Sequence, residues 1–184
     1  MALAHTILTL LNHGPCSGYD ISKRFEEGVG CYWQASQQQI YRELGKMAKQ
    51  GWVRHESIPQ AGKPDKKIYE LTTEGEAELH RWFTEPTEPT PIREDLLVKV
   101  LAGPYIDPDL LHHELVQRRQ LHERKLAHYR EKEQCFLAAT APPPSEQFRY
   151  LTLKRGIRYE ESWIAWCDEV MDVLAEIETE SPLT

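Results

Sequence analysis

Residues 84–91 read Thr-Glu-Pro-Thr-Glu-Pro-Thr-Pro. Three prolines within eight residues remove backbone donors and clash with the carbonyls that precede them, so no helix runs through this stretch. The 184-residue chain is therefore cut near its middle. Residues 1–83 and 92–184 are each long enough to be a small domain, with 84–91 as a Pro-rich linker.

The two parts differ in charge. Residues 1–83 hold ten acids and ten bases, whereas residues 84–184 hold nineteen acids and twelve bases and carry the whole net charge of -7. Within 36–67 seven bases face three acids. A local basic patch on an acidic chain points to a directed polyanion contact rather than indiscriminate binding.

That patch opens with Ala-Ser-Gln-Gln-Gln-Ile-Tyr-Arg-Glu-Leu at 35–44. Ser36 followed by Gln39 fits a capping box, which predicts a helix N-terminus. Ile40, Leu44 and Met47 recur at helical spacing and face a core. Gln37, Gln38, Tyr41, Arg42, Lys46 and Lys49 fall on or near the outer side, and such side chains suit base edges and phosphates. An ordinary solvated face reads the same way. Two helices precede this one. The first, 2–12, has Ala4, Ile7, Leu8 and Leu11 on one side. The second is capped by Ser17 and Asp20, buries Ile21 and Phe25, and stops at Gly28 and Gly30. After Gly51 the period changes. Residues 52–58 and 67–71 partly alternate and flank the turn-forming 59–65, which predicts two antiparallel strands with a basic tip. Thr73 and Glu76 then form a capping box for a fourth helix carrying Ala77, Leu79, Trp82 and Phe83.

The second half reads as helix throughout. A short segment at 92–102 ends at Gly103-Pro104. Asp107-Pro108 opens a long helix to about Ala138, and another runs from past 145 to about Glu178. The last helix carries two apolar stripes. Ile157, Ile164, Met171 and Leu174 form one. Trp163, Trp166, Val170, Val173 and Ile177 form the other. One stripe packs on the helix from Pro108. The other needs a further partner, for which a second subunit is the simplest choice and the chain's own N-terminal region the alternative.

Other features exclude function classes. No apolar run reaches membrane-spanning length, and the start lacks a basic leader with a cleavage site, so a cytoplasmic protein without a membrane partner is expected. Cys16, Cys31, Cys135 and Cys167 show no C-x-x-C pair and read as reduced, inert thiols. His112, His113, His122 and His128 lack ligand spacing and read as solvated or interface residues, so no metal is expected. There is no phosphate loop, nucleophile elbow or metal triad, which speaks against an enzyme and against a cofactor.

Three helices, a two-stranded wing and a fourth helix form the order of a winged helix-turn-helix, so the fold class is mainly α with a β-wing plus an α-helical C-terminal domain. His-Gly-Pro-Cys-Ser-Gly-Tyr-Asp at 13–20, the segment 31–53 and Gly-Lys-Pro-Asp-Lys-Lys at 62–67 resemble the PadR family of bacterial transcriptional regulators. The acidic remainder is similar to its longer subgroup with a dimerising helical domain. The resemblance implies a homodimeric repressor bound to double-stranded operator DNA and released by a phenolic or other aromatic effector. It places Ser36, Gln38, Gln39, Tyr41 and Arg42 on the recognition helix and Gly62, Lys63, Pro64, Asp65 and Lys67 in the wing motif; Gln37, Lys46 and Lys66 join them as expected DNA-binding residues from the outer helix face and the basic tip. It makes Tyr19, Trp33 and Tyr69 scaffold. Trp163, Trp166, Val170, Val173 and Ile177 are the expected dimerisation residues. The alternative is a dimeric protein-interaction adaptor on the same scaffold.

Overall fold

The computed structural model describes residues 2–27, 35–138 and 140–180. The expected helix stop at Gly28 and Gly30, the thiol of Cys31 and the scaffold position of Trp33 lie outside the described residues. The chain forms two compact units, Met1–Pro89 and Thr90–Thr184.

The first unit runs α1 (Ala2–Leu11), β1 (Cys16–Ser17), α2 (Gly18–Glu27), α3 (Gln37–Lys49), β2 (Val53–Gln60), β3 (Lys63–Leu71) and α4 (Thr73–Phe83). The apolar positions at helical spacing form its core: Ala4, Ile7, Leu8 and Leu11 from α1, Ile21 and Phe25 from α2, and Ile40, Leu44 and Met47 from α3, closed by Val53, Tyr69 and Leu79. The sheet has three antiparallel strands in the order β1-β3-β2, one more than expected. Two residues suffice for β1, with Cys16 opposite Tyr69 and Ser17 opposite Ile68. No period can show in so short a strand.

The hairpin also extends further than the turn-forming residues suggest. Ladder pairing reaches Gln60 opposite Lys63, so only Ala61 and Gly62 make the turn, with Gly62 at φ +70°. Pro59 is tolerated because it sits at the register irregularity between Ile58 and Gln60. Helix α4 starts one residue earlier than expected. Thr72, not Thr73, is the N-cap, and its hydroxyl accepts from the Gly75 amide and donates to the Gly51 carbonyl. An added Cβ at Gly75 would lie 2.1 Å from the Trp52 carbonyl oxygen, so the close approach of backbone to backbone fixes the frame. The face that turns inward is then Gly75 and Leu79 with Trp82 beside them, while Ala77 and Phe83 are exposed.

The second unit holds α5 (Asp95–Leu101), a 3-10 turn at Gly103–Tyr105, α6 (Pro108–Leu137) and α7 (Pro144–Glu180). Asp107 caps α6 through the Asp109 amide at 3.0 Å. Helices α6 and α7 pair antiparallel, tied by Arg119 to Asp168 at 2.6 Å, Arg130 to Glu161, and the Tyr150 hydroxyl to Glu133 at 3.0 Å. Leu96, Leu111, Leu115 and Cys167 are the buried centre, with Trp163, Trp166, Val170, Met171 and Leu174 packed around it. Residues from both expected stripes of α7 thus share one core, because α5 adds a third wall. Val173 and Ile177 stay about half exposed. Among the described residues no helix is long and apolar enough to cross a membrane, and no cluster of potential metal ligands forms.

Candidate nucleic-acid interface

Helix α3 is held from below by its buried Ile40, Leu44 and Met47. Its first turn is closed by a reciprocal box: Ser36 N–H donates to Gln39 Oε1 at 2.8 Å, and Gln39 N–H donates to Ser36 Oγ at 3.3 Å. Ser36 and Gln39 are therefore exposed but engaged, which leaves the Gln39 amide NH2 for an outside partner. Gln37, Gln38, Arg42 and Lys49 point outward. Lys46 is exposed and pairs with Glu43 at 2.9 Å. Among the described residues Arg42 has no ion-pair partner, so its guanidinium fork is available to a phosphate or a guanine edge.

Tyr41 divides its surface between core and solvent. It is 43% exposed, and its ring lies on Gly18 at the start of α2, where an ideal Cβ would sit 2.6 Å from the Tyr41 Cε1. Tyr69, behind it, is buried, and burial is the main reason its hydroxyl pKa is raised, with Tyr41 adding to the effect.

The wing lysines separate. Alternation along β3 sends Lys66 and Lys67 to opposite faces of the hairpin, so they do not form one basic tip. Lys67 is exposed opposite Ser57. Lys66 is half-buried, with its Nζ 3.6 Å from Asp20 Oδ2 in the first turn of α2. Asp20 also takes hydrogen bonds from the Ser17 amide at 3.1 Å and hydroxyl at 2.6 Å, and these bonds chiefly hold its carboxyl below the usual range. The backbone of Lys63 continues β3, while its side chain lies outside the described set.

Two buried polar centres were not read from the sequence. His5, 2% exposed, stacks on Trp82 and bonds Glu78 at 2.9 Å. Glu78 also holds Arg81 through two bonds of 2.7 Å, and its pKa falls to about 2, first because of Arg81. In the second unit His122 is buried rather than solvated. Its Nδ1 bonds Glu160, its ring stacks on Trp163 at 5.2 Å, and Tyr159 meets it edge-on. Arg118 lies over the same Trp163 ring and pairs with Glu94 at 3.0 Å. A carboxylate only accepts, so Nδ1 carries the proton. Nε2 is left as a buried polar atom with no hydrogen-bond partner among the described residues. The sequence did hold a signal. His122 follows Leu111 and Leu115 on the inner stripe of α6, and Glu160 lies between Ile157 and Ile164 on α7, so each polar group interrupts an apolar series. His112, His113 and His128 are exposed as expected. Cys16 and Cys167 are buried, with thiol pKa values raised by burial, but Cys135 is exposed.

Comparison with known proteins matches residues 7–81 to the Transcriptional regulator PadR-like family and residues 92–175 to Virulence activator alpha C-term. The probable transcriptional regulator Rv1176c of Mycobacterium tuberculosis is 39% identical, over 96% of this chain and 99% of its own. The negative transcriptional regulator PadR of Bacillus subtilis is 31% identical, over 94% and 97%. The crystal structure of that PadR with operator DNA superposes with a TM-score of 0.82 at 26% identity, over 95% of this chain and 99% of that one. The same protein has been solved with p-coumaric acid, at a TM-score of 0.76 and 25% identity, over 94% of this chain and 95% of that one. The Vibrio cholerae virulence activator AphA superposes at 0.79 with 33% identity, over 97% and 99%.

Proposed function

The chain belongs to the PadR-like family of transcriptional regulators, which are not enzymes, and from that premise we propose that it is a dimeric, sequence-specific DNA-binding repressor released by a small aromatic ligand. The observation that carries this reading is α3. Its inner face is locked in the core and its start is capped, while Gln37, Gln38 and Arg42 stand outward as donors and acceptors on a helix held in place. The adaptor alternative is expected to show an uncharged or acidic face there, whereas α3 carries Arg42, Lys46 and Lys49 beside one acid, Glu43. Lys67 and the Lys63 end of the wing supply phosphate contacts, which position the protein without reading sequence.

Dimerisation supplies the second recognition helix. It draws support from Val173 and Ile177, and from the apolar Phe148 and Leu151, all open to solvent on α7. Ligand control draws support from the C-terminal unit. His122, fixed by Glu160, presents a buried nitrogen that lacks a partner, beside Tyr159 and Trp163. A hydroxyl both donates and accepts, so a phenol suits this atom in either protonation state. The chemistry agrees with the p-coumaric acid found in the PadR relative.

The test is an electrophoretic shift of duplexes from the promoter region of the protein's own gene, with and without p-coumaric acid. Retention of one duplex over a scrambled control, and its release by about 5- to 150-fold on adding the acid, is expected. His122→Ala should keep the shift and lose the release. No retained duplex overturns the DNA reading; release that ignores His122 moves the ligand elsewhere. A second reading, activation, is favoured by the match of residues 92–175 to a virulence-activator C-terminal domain and by the likeness to AphA. A reporter fused to the bound promoter decides the sign.

A further inference from the structure

We propose that Gly18 is a positioning residue for DNA recognition, acting through Tyr41. This rests on the reading of α3 as the recognition helix. Gly18 opens α2, and nothing in its own backbone asks for glycine, because it lies outside the positive-φ glycines Gly14, Gly51 and Gly62. Helix propensity favours alanine there. What excludes a side chain is the Tyr41 ring. Three of its atoms, Cε1, Cζ and Cδ1, lie 2.6, 2.9 and 3.2 Å from the place a Cβ would take.

The ring therefore rests on bare backbone, and this seat fixes the one aromatic residue on the outward side of α3. Tyr41 stands one turn beyond Gln37 and Gln38 on the same side of α3, so a ring turned off its seat would crowd the side chains that read the duplex. The same turn of α2 engages the wing. Asp20, two residues from Gly18, is bound by Ser17 and faces Lys66 at 3.6 Å. One turn of α2 thus serves as the common reference for the recognition helix, through Gly18 and Tyr41, and for the wing, through Asp20 and Lys66. Contacts to base edges tolerate little misplacement, whereas phosphate contacts tolerate more. The expected consequence of filling the seat is a loss of discrimination rather than of DNA binding as such.

The experiment uses the full chain and a duplex selected from random sequence by the wild-type protein, beside an unselected duplex. Gly18→Ala should weaken the selected duplex by about tenfold, the scale of one lost base-edge contact, and leave the unselected duplex within about twofold. In a Tyr41→Ala background the same change should cost less than about twofold, because contacting residues are non-additive. In a Tyr41→Phe background, where the ring remains, the full cost should return. Equal cost of Gly18→Ala in all three backgrounds, no cost in the wild type, or equal loss on both duplexes overturns the proposal. If Gly18→Ala does not fold, as read by circular dichroism, adding Tyr41→Ala must restore folding, and failure to do so overturns it too. If the wild type selects no duplex, the DNA-binding reading itself falls, an outcome distinct from all of these.

Discussion

Glu78 shows how much a single side chain can hold together. Its carboxylate joins His5 of α1 to Arg81 of its own helix, inside the first unit. A carboxyl depressed from 4.5 to about 2 adds stability that is fully present above the unfolded value and is lost as pH falls through the folded one. Glu78→Gln should therefore lower stability at pH 7 by about 1.5–3 kcal/mol, the range for a hydrogen bond to a charged group. The gap to the wild type should close between pH 4.5 and pH 2, as read by urea unfolding across that window. A constant gap would mean that the carboxylate charge is not what matters. No sequence pattern announces this residue. Charged residues at 78, 81 and 85 look like a solvated helix face, and only the buried imidazole of His5, seventy-three positions away, makes them a network. The capping box at Ser36 and Gln39 was legible because both partners sit within one turn.

Elements were legible where their period is long and their ends are marked. Helices α1, α3 and α6 lie within a residue of their expected bounds: α1 and α3 have an apolar stripe and a stop or cap, and α6 has the Asp107-Pro108 start and the proline run that follows it. The hairpin was harder. Turn-forming residues at 59–65 suggested a broad loop, but Pro59 and Pro64 sit within the strands, and the turn shrinks to two residues. This matters for the wing. Lys66 and Lys67 face opposite ways, so their deletions should differ. Lys67→Ala should lower operator affinity on all duplexes alike and reduce the log-log salt slope by about one, as one phosphate contact is lost. Lys66→Ala should leave the slope nearly unchanged, because its charge is turned toward Asp20. Fluorescence anisotropy titrations between 50 and 200 mM salt, about the range where counterion release dominates, read both slopes. Equal slope changes would return Lys66 to the DNA.

At the scale of the whole molecule, the proposed two-fold dimer would present two α3 helices to major grooves about one turn, roughly 34 Å, apart, so the bound site should be an inverted repeat. Charged residues at the half-exposed Val173 and Ile177 should separate the subunits without unfolding the helices. For the pair Val173→Glu and Ile177→Glu, light scattering should report the single-chain mass where the wild type reports twice that. Operator affinity should fall by at least about a hundredfold, as the second site's effective concentration is lost. A monomeric wild type at micromolar concentration would remove the dimer from the picture. The shortest strand governs how the first unit comes apart. Ser17 belongs to the ladder opposite Ile68, and its hydroxyl also takes the Asp20 amide at the start of α2. Unzipping the wing past Ile68 would release the strand that carries this cap, so the two are expected to open as a single unit. In native-state hydrogen exchange the amides of Ser17, Asp20 and Ile68 should share one opening free energy and one denaturant dependence. The amides toward Gly62 should exchange earlier and independently. That would make the base of the wing as slow to open as α2, whose cap it shares, and leave only its tip to adapt to the contour of a duplex.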